Sequence, residues 1–130
     1  MLDHLNVAVV GAGLMGHGIA QVFATAGARV SIYDPAAETL ASVPARIAAN
    51  LELLGEDAAV ARDVRLAGDL AAAVTGADWV FEAAPERLAL KQALFAEIEA
   101  AVGPDCIIAT NTSVMRVTEI AAHLRRRPRR

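Results

Sequence analysis

The chain has 130 residues, enough for one domain that removes roughly two thirds of its unfolded surface from water. Hydrophobic residues make up 55% but aromatics only 4%, and the single cysteine, Cys106, excludes an intrachain disulfide or a multi-thiolate metal site. The net charge of -3 is divided: positions before Leu124 hold all fifteen acids against seven bases, a balance of -8, while five arginines crowd the last six positions. An acidic body, no aromatic interleaving and a proline within the basic run argue against a nucleic-acid partner. Residues 1–124 therefore read as the domain and 125–130 as an arginine-rich tail or truncated linker. No apolar run reaches ~18 residues and no signal peptide is visible, so the expectation is a cytoplasmic chain without a membrane partner.

Asn6–Val10 reads as a short aliphatic strand running into Gly11-Ala12-Gly13. A helix is predicted over 14–26, with Ile19, Val22, Phe23 and Ala26 on one face and Gly27 as its cap. Arg29–Tyr33 is a second strand, stopped by Asp34-Pro35. Helical pattern resumes over 37–54, where Pro44 predicts a split or kink. Residues 64–67 read as a third strand, 70–74 as a short helix and 78–84 as a fourth strand. A strong helix over 87–102 sets Leu90, Leu94, Phe95 and Ile98 on one face. Residues 106–109 make a fifth strand, and a last helix spans 117–124. Strands alternating with helices at these spacings predict a doubly wound parallel sheet of Rossmann type.

Gly11-Ala12-Gly13-Leu14-Met15-Gly16 fits G-x-G-x-x-G between a strand and a helix, and Asp34 stands 18 residues beyond Gly16 at the end of the next strand. This is the context in which that pattern binds a dinucleotide. Gly11 permits the tight turn, Gly13 lets the backbone approach a pyrophosphate, and Gly16 allows close packing. Free N–H groups and the helix dipole then meet the phosphate charge without a side-chain cation. Asp34 can accept the adenosine-ribose hydroxyls, and its charge disfavours an added 2′-phosphate. NAD is the expected cofactor, with contacts at Gly11, Gly13, Leu14, Met15, Gly16 and Asp34. His17, in the first helical turn, reads as a surface residue or a support behind the site.

The longer stretch Gly11-Ala-Gly-Leu-Met-Gly-His-Gly-Ile-Ala-Gln21 resembles the opening of the 3-hydroxyacyl-CoA dehydrogenases, G-x-G-x-M-G-x-G-I-A. Two further blocks agree in order. Glu82-Ala83-Ala84-Pro85-Glu86 with Lys91 is similar to the family's E-A-x-x-E-x-x-x-x-K element, and Thr110-Asn111-Thr112-Ser113 to its T-N-T-S segment. The resemblance implies that Glu86 and Lys91 border the nicotinamide end and that Asn111 places the nicotinamide ribose. It also implies that Ser113 is catalytic, hydrogen-bonding the substrate's 3-hydroxyl or carbonyl oxygen. Read without it, Glu86 could equally be a helix-start acid, Lys91 a solvated helix residue and Ser113 a cap.

Two departures bear on function. In the family, a sixth strand follows T-N-T-S and carries the histidine that acts as general base, with a helical C-terminal domain beyond. This chain ends at Arg130, so the last strand, the helical domain and the catalytic His are expected to be missing. His123 lies in the preceding helix and is not a substitute. The exposed sheet edge then offers a route to a dimer. The segment between Asp34 and Val64 is also short, with only Arg46 and Arg62 as bases where relatives meet CoA. The expected reaction of the complete enzyme is hydride transfer between NAD and a 3-hydroxyacyl-CoA, as in fatty-acid metabolism. The alternatives are a free 3-hydroxy acid of the gulonate or carnitine type, or a non-catalytic NAD-binding module.

Overall fold

The computed structural model describes residues 2–112, 116–121 and 124–125. Ser113, His123 and all of the arginine tail but Arg125 lie outside them. Five parallel strands form one sheet: β1 (Asn6–Val10), β2 (Arg29–Tyr33), β3 (Arg65–Leu66), β4 (Trp79–Glu82) and β5 (Ile107–Thr110). Their order is β3-β2-β1-β4-β5. β1 is central, pairing Val9 with Ile32 on one side and with Phe81 on the other.

The helices are α1 (Leu14–Thr25), α2 (Ala37–Ala41), α3 (Val43–Leu53), α4 (Leu70–Val74), α5 (Leu88–Ala101) and α6 (Val117–Ile120), with a 3₁₀ turn over Ala58–Asp63. Because alternate side chains of β1 point to opposite faces, the strand serves two cores. Val7 and Val9 pack with Val30, Ile32, Ile47 and Leu51 beneath α1 and α3. Ala8 and Val10 pack with Val80, Val74, Phe95 and Ile98 beneath α4 and α5. Each large aliphatic side chain buried in this way contributes about 1.5–3 kcal/mol.

Pro44 divides the predicted helix 37–54. α2 ends at Ala41, and α3 begins with Pro44 in its first turn, where a missing N–H costs nothing. The third strand shrinks to two residues at the sheet edge. A larger difference concerns α1. Of the expected apolar face, Ile19 and Phe23 pack half-buried against the core, but Val22 is 65% exposed. The buried face is Gly16, His17, Ala20 and Ala24. Small residues win there because they let the helix axis come close to β1. The stripe on α5 also turns, so that Lys91 lies buried with Phe95 and Ile98, while Leu90 and Leu94 are only half-buried.

The order of strand addition reverses between β1 and β4, the chain building outward through β2 and β3 on one side and through β4 and β5 on the other. A crevice at the carboxyl ends of strands on either side of such a reversal is where open α/β sheets bind ligands.

Candidate cofactor site

The glycine turn closes the crevice at the end of β1. Gly11 has φ 106°, a left-handed conformation that L side chains avoid. A Cβ there would also come within 2.7 Å of the Ala83 carbonyl group, just past β4. At Gly16 a Cβ would stand 1.7 Å from the Gly11 carbonyl oxygen. Both positions are closed to any larger residue. Gly13 differs: a Cβ added there would meet nothing within 4 Å. The space above Gly13 is the open mouth of the turn.

Asp34 follows β2 and anchors the turn from the side. One carboxylate oxygen accepts from Ala12 N–H at 2.9 Å and the other from Ala36 N–H at 2.8 Å. Gly11 N–H donates to the Tyr33 carbonyl at 2.8 Å. α1 begins at Gly13 without a side-chain cap. Among the described residues, no acceptor meets the N–H groups of Gly13, Leu14, Met15 or Gly16. His17 is buried rather than on the surface, and its Nδ1 lies 2.9 Å from the Gly13 carbonyl oxygen.

A second cluster sits at the carboxyl ends of β4 and β5. Glu82, the last residue of β4, is fully buried and accepts from Lys91 Nζ at 2.6 Å, from Ala84 N–H at 2.5 Å and from the Thr110 hydroxyl. Lys91 is fully buried too. Its ammonium also donates to the Ala84 carbonyl at 3.2 Å and lies 3.3 Å from Glu86. A buried ammonium is tolerable because each of its three donors has an oxygen partner. Glu86 is half-exposed and accepts from the Thr112 hydroxyl at 2.5 Å. That hydrogen bond, aided by Lys91, holds the Glu86 carboxyl below its ordinary pKa against a smaller opposing effect of burial.

Between the two clusters runs an apolar groove of about 500 Å³, lined by Leu14, Met15, Phe23, Phe81 and Asn111 among others. The structure thus joins Leu14, Met15 and Asn111 at one surface and Glu86 with Lys91 at another, while Asp34 stands on the far side of the glycine turn. Glu82 is assigned no role from the sequence, where nothing local marks its pairing with Lys91 on another element.

The sequence profile of the NAD-binding domain of 3-hydroxyacyl-CoA dehydrogenases matches residues 6–130. The chain belongs to this family.

Relatives agree with that placement. A probable 3-hydroxyacyl-CoA dehydrogenase of Caenorhabditis elegans is 36% identical over 95% of this chain and 44% of its own length. L-Carnitine dehydrogenase of Nocardiopsis dassonvillei is 41% identical over 88% of this chain and 36% of its own. The crystal structure of 3-hydroxybutyryl-CoA dehydrogenase from Escherichia coli superposes with a TM-score of 0.83 at 38% identity, over 92% of this chain and 27% of that one. The 3-hydroxyacyl-CoA dehydrogenase domain described here therefore spans less than half the length of these relatives.

Its residues fit the family's cofactor, NAD. The open space above Gly13 leaves room for a pyrophosphate, and the unpartnered N–H groups at the start of α1 supply donors. Among the described residues, no helix is long and apolar enough to cross a membrane.

Proposed function

We propose that this domain is the NAD-holding part of an enzyme that moves hydride between NAD and C3 of a 3-hydroxyacyl thioester. The observation that carries the reading is the Glu82–Lys91–Glu86–Thr112 network at the carboxyl ends of β4 and β5, beside the groove bordered by Leu14, Met15 and Asn111. The nicotinamide supplies the hydride chemistry when bound, and the protein orients it. Asp34 holds the adenosine ribose, and the turn at Gly11, Gly13 and Gly16 with Leu14 and Met15 holds the pyrophosphate. Glu86 borders the nicotinamide end. Lys91 has no exposed surface, so its part is to fix the Glu86 carboxylate. Asn111 places the nicotinamide ribose, and Ser113 donates to the substrate's reacting oxygen.

A general base must reach the proton it removes. His4 is exposed far from this network, and His17 is committed to the glycine turn. Neither described histidine can therefore act as that base, and our reading is that this domain binds NAD and turns over little without its catalytic remainder.

The second reading is a free hydroxy acid as substrate. The carnitine dehydrogenase relative supports it, and so does Arg46, which donates to the Ala12 carbonyl and so has a partner within the domain rather than standing free for CoA.

Titration calorimetry with NAD and NADP tests the cofactor assignment. Binding of NAD, weaker binding of NADP and a tenfold to hundredfold loss in Asp34→Ala are expected, since removing a charged acceptor costs about 1.5–3 kcal/mol. The substrate class is tested in an enzyme carrying this domain with its catalytic remainder. A higher kcat/KM on 3-hydroxybutyryl-CoA than on L-carnitine supports the thioester, and the reverse order replaces it with the free acid.

A further inference from the structure

We propose that α3 acts as a brace that presets the dinucleotide turn, with Arg46 and Asn50 as positioning residues for cofactor binding. The proposal rests on the NAD assignment and extends it to residues outside the glycine motif. Arg46 Nη1 donates to the Ala12 carbonyl at 3.0 Å, across 34 positions of sequence. Asn50, one turn further along the same helix, places Nδ2 3.1 Å from His17 Nε2 and donates to Gln21 Oε1 at 3.0 Å. The opposite nitrogen of the same imidazole, Nδ1, meets the Gly13 carbonyl at 2.9 Å. A carbonyl at Nδ1 requires the proton there, which leaves Nε2 to accept from Asn50.

The consequence follows from peptide geometry. In a trans peptide the carbonyl and the N–H of one plane point in opposite directions. Fixing the Ala12 oxygen aims the Gly13 N–H, and fixing the Gly13 oxygen aims the Leu14 N–H. These are two of the unpartnered donors at the start of α1. Glycine at 13, which flanks both planes, makes their rotation cheap, so a turn without its brace would sample arrangements that present a carbonyl to the phosphate. Asp34 holds the Ala12 N–H from the other side. Three side chains from three elements thus bear on the turn: Arg46 holds the Ala12 carbonyl from α3, and Asn50 steadies the His17 ring on a Gly13 carbonyl that also accepts from His17 N–H at 3.1 Å. Preset donors bind an anion more tightly because ordering is not charged against binding.

The test compares NAD with adenosine, which lacks the pyrophosphate, on the 130-residue chain. Arg46→Met keeps the apolar stem, Asn50→Ala frees the imidazole, and Arg46→Lys restores a donor. Arg46→Met and Asn50→Ala should each weaken NAD about 5–20-fold, with adenosine changed less than twofold. Arg46→Lys should recover part of the loss. Unchanged NAD affinity in both variants, or equal weakening of NAD and adenosine, overturns the brace. Should Asn50→Ala fail to fold, the Arg46 pair decides alone. Absence of NAD binding in the unsubstituted chain sinks the cofactor assignment itself, and is seen before any variant is compared.

Discussion

A methyl group added at Gly13 and one added at Gly16 meet opposite surroundings. At Gly16 it collides with the Gly11 carbonyl oxygen, whereas at Gly13 it projects into open space. Gly16→Ala should therefore destabilise the fold by several kcal/mol, as backbone clashes in a close-packed core do. Gly13→Ala should leave the melting temperature within a few degrees while abolishing most NAD affinity. Paired thermal melts and NAD titrations check this, and a Gly13→Ala variant that binds NAD normally would remove the pyrophosphate from that position. Glu86 offers a pH test. Its carboxyl is depressed chiefly by the Thr112 hydroxyl, then by Lys91. A depressed carboxyl stabilises the fold above its unfolded pKa, and that contribution disappears as pH falls through the folded value. Thr112→Val should raise the Glu86 pKa, followed by carboxyl-carbon NMR titration. The stability deficit of the variant at pH 7 should close in acid, and a deficit independent of pH would assign the loss to something other than Glu86.

At the scale of elements, β4 and α5 are joined by the buried Glu82–Lys91 pair. Removing one partner of such a pair leaves an uncompensated charge and costs about 3–5 kcal/mol, whereas removing both costs much less. Lys91→Met should lower stability in urea melts by about that amount, and Glu82→Gln with Lys91→Met should recover a large part of it. A double variant no better than Lys91→Met alone would show that packing, not charge, dominates there. These elements also show what the sequence could reveal. β1 was legible because a strand buried on both faces is written as an aliphatic run, β2 because Asp34-Pro35 stops it, and the glycine turn because its spacing is local. Pro44 announced the division of α2 from α3. The core face of α1 was not legible, because Gly16, Ala20 and Ala24 carry too little apolar surface to outvote Ile19 and Val22. Nor was the burial of Lys91, whose partners lie on other elements, or the reach of Arg46 to Ala12. Side-chain pairings across tens of residues leave no periodic trace.

For the molecule as a whole, β5 is an edge strand, and among the described residues no strand pairs with its outer side. Ile107 is 38% exposed there. Nearby, Phe23, Phe81 and Trp79 form a row with ring centroids 5.0 and 5.8 Å apart, and Leu14 is 76% exposed at the groove. An open strand edge beside an apolar face templates pairing with another copy. Size-exclusion chromatography of the 130-residue chain should show concentration-dependent elution, suppressed by Ile107→Lys. A single monomeric peak from low to high concentration would refute it. The parallel order also has a consequence during synthesis. Gly11 closes against the carbonyl of Ala83, so the glycine turn is sealed only when β4 has been made and docked. At translation rates of about 5–20 residues per second, that delay is roughly 4–15 s. During this interval β1 can pair with β2 alone, exposing its other edge to chaperones or to neighbouring nascent chains. NAD, however abundant, would reach the domain too late to guide its folding and could only hold together a crevice that the chain had already closed.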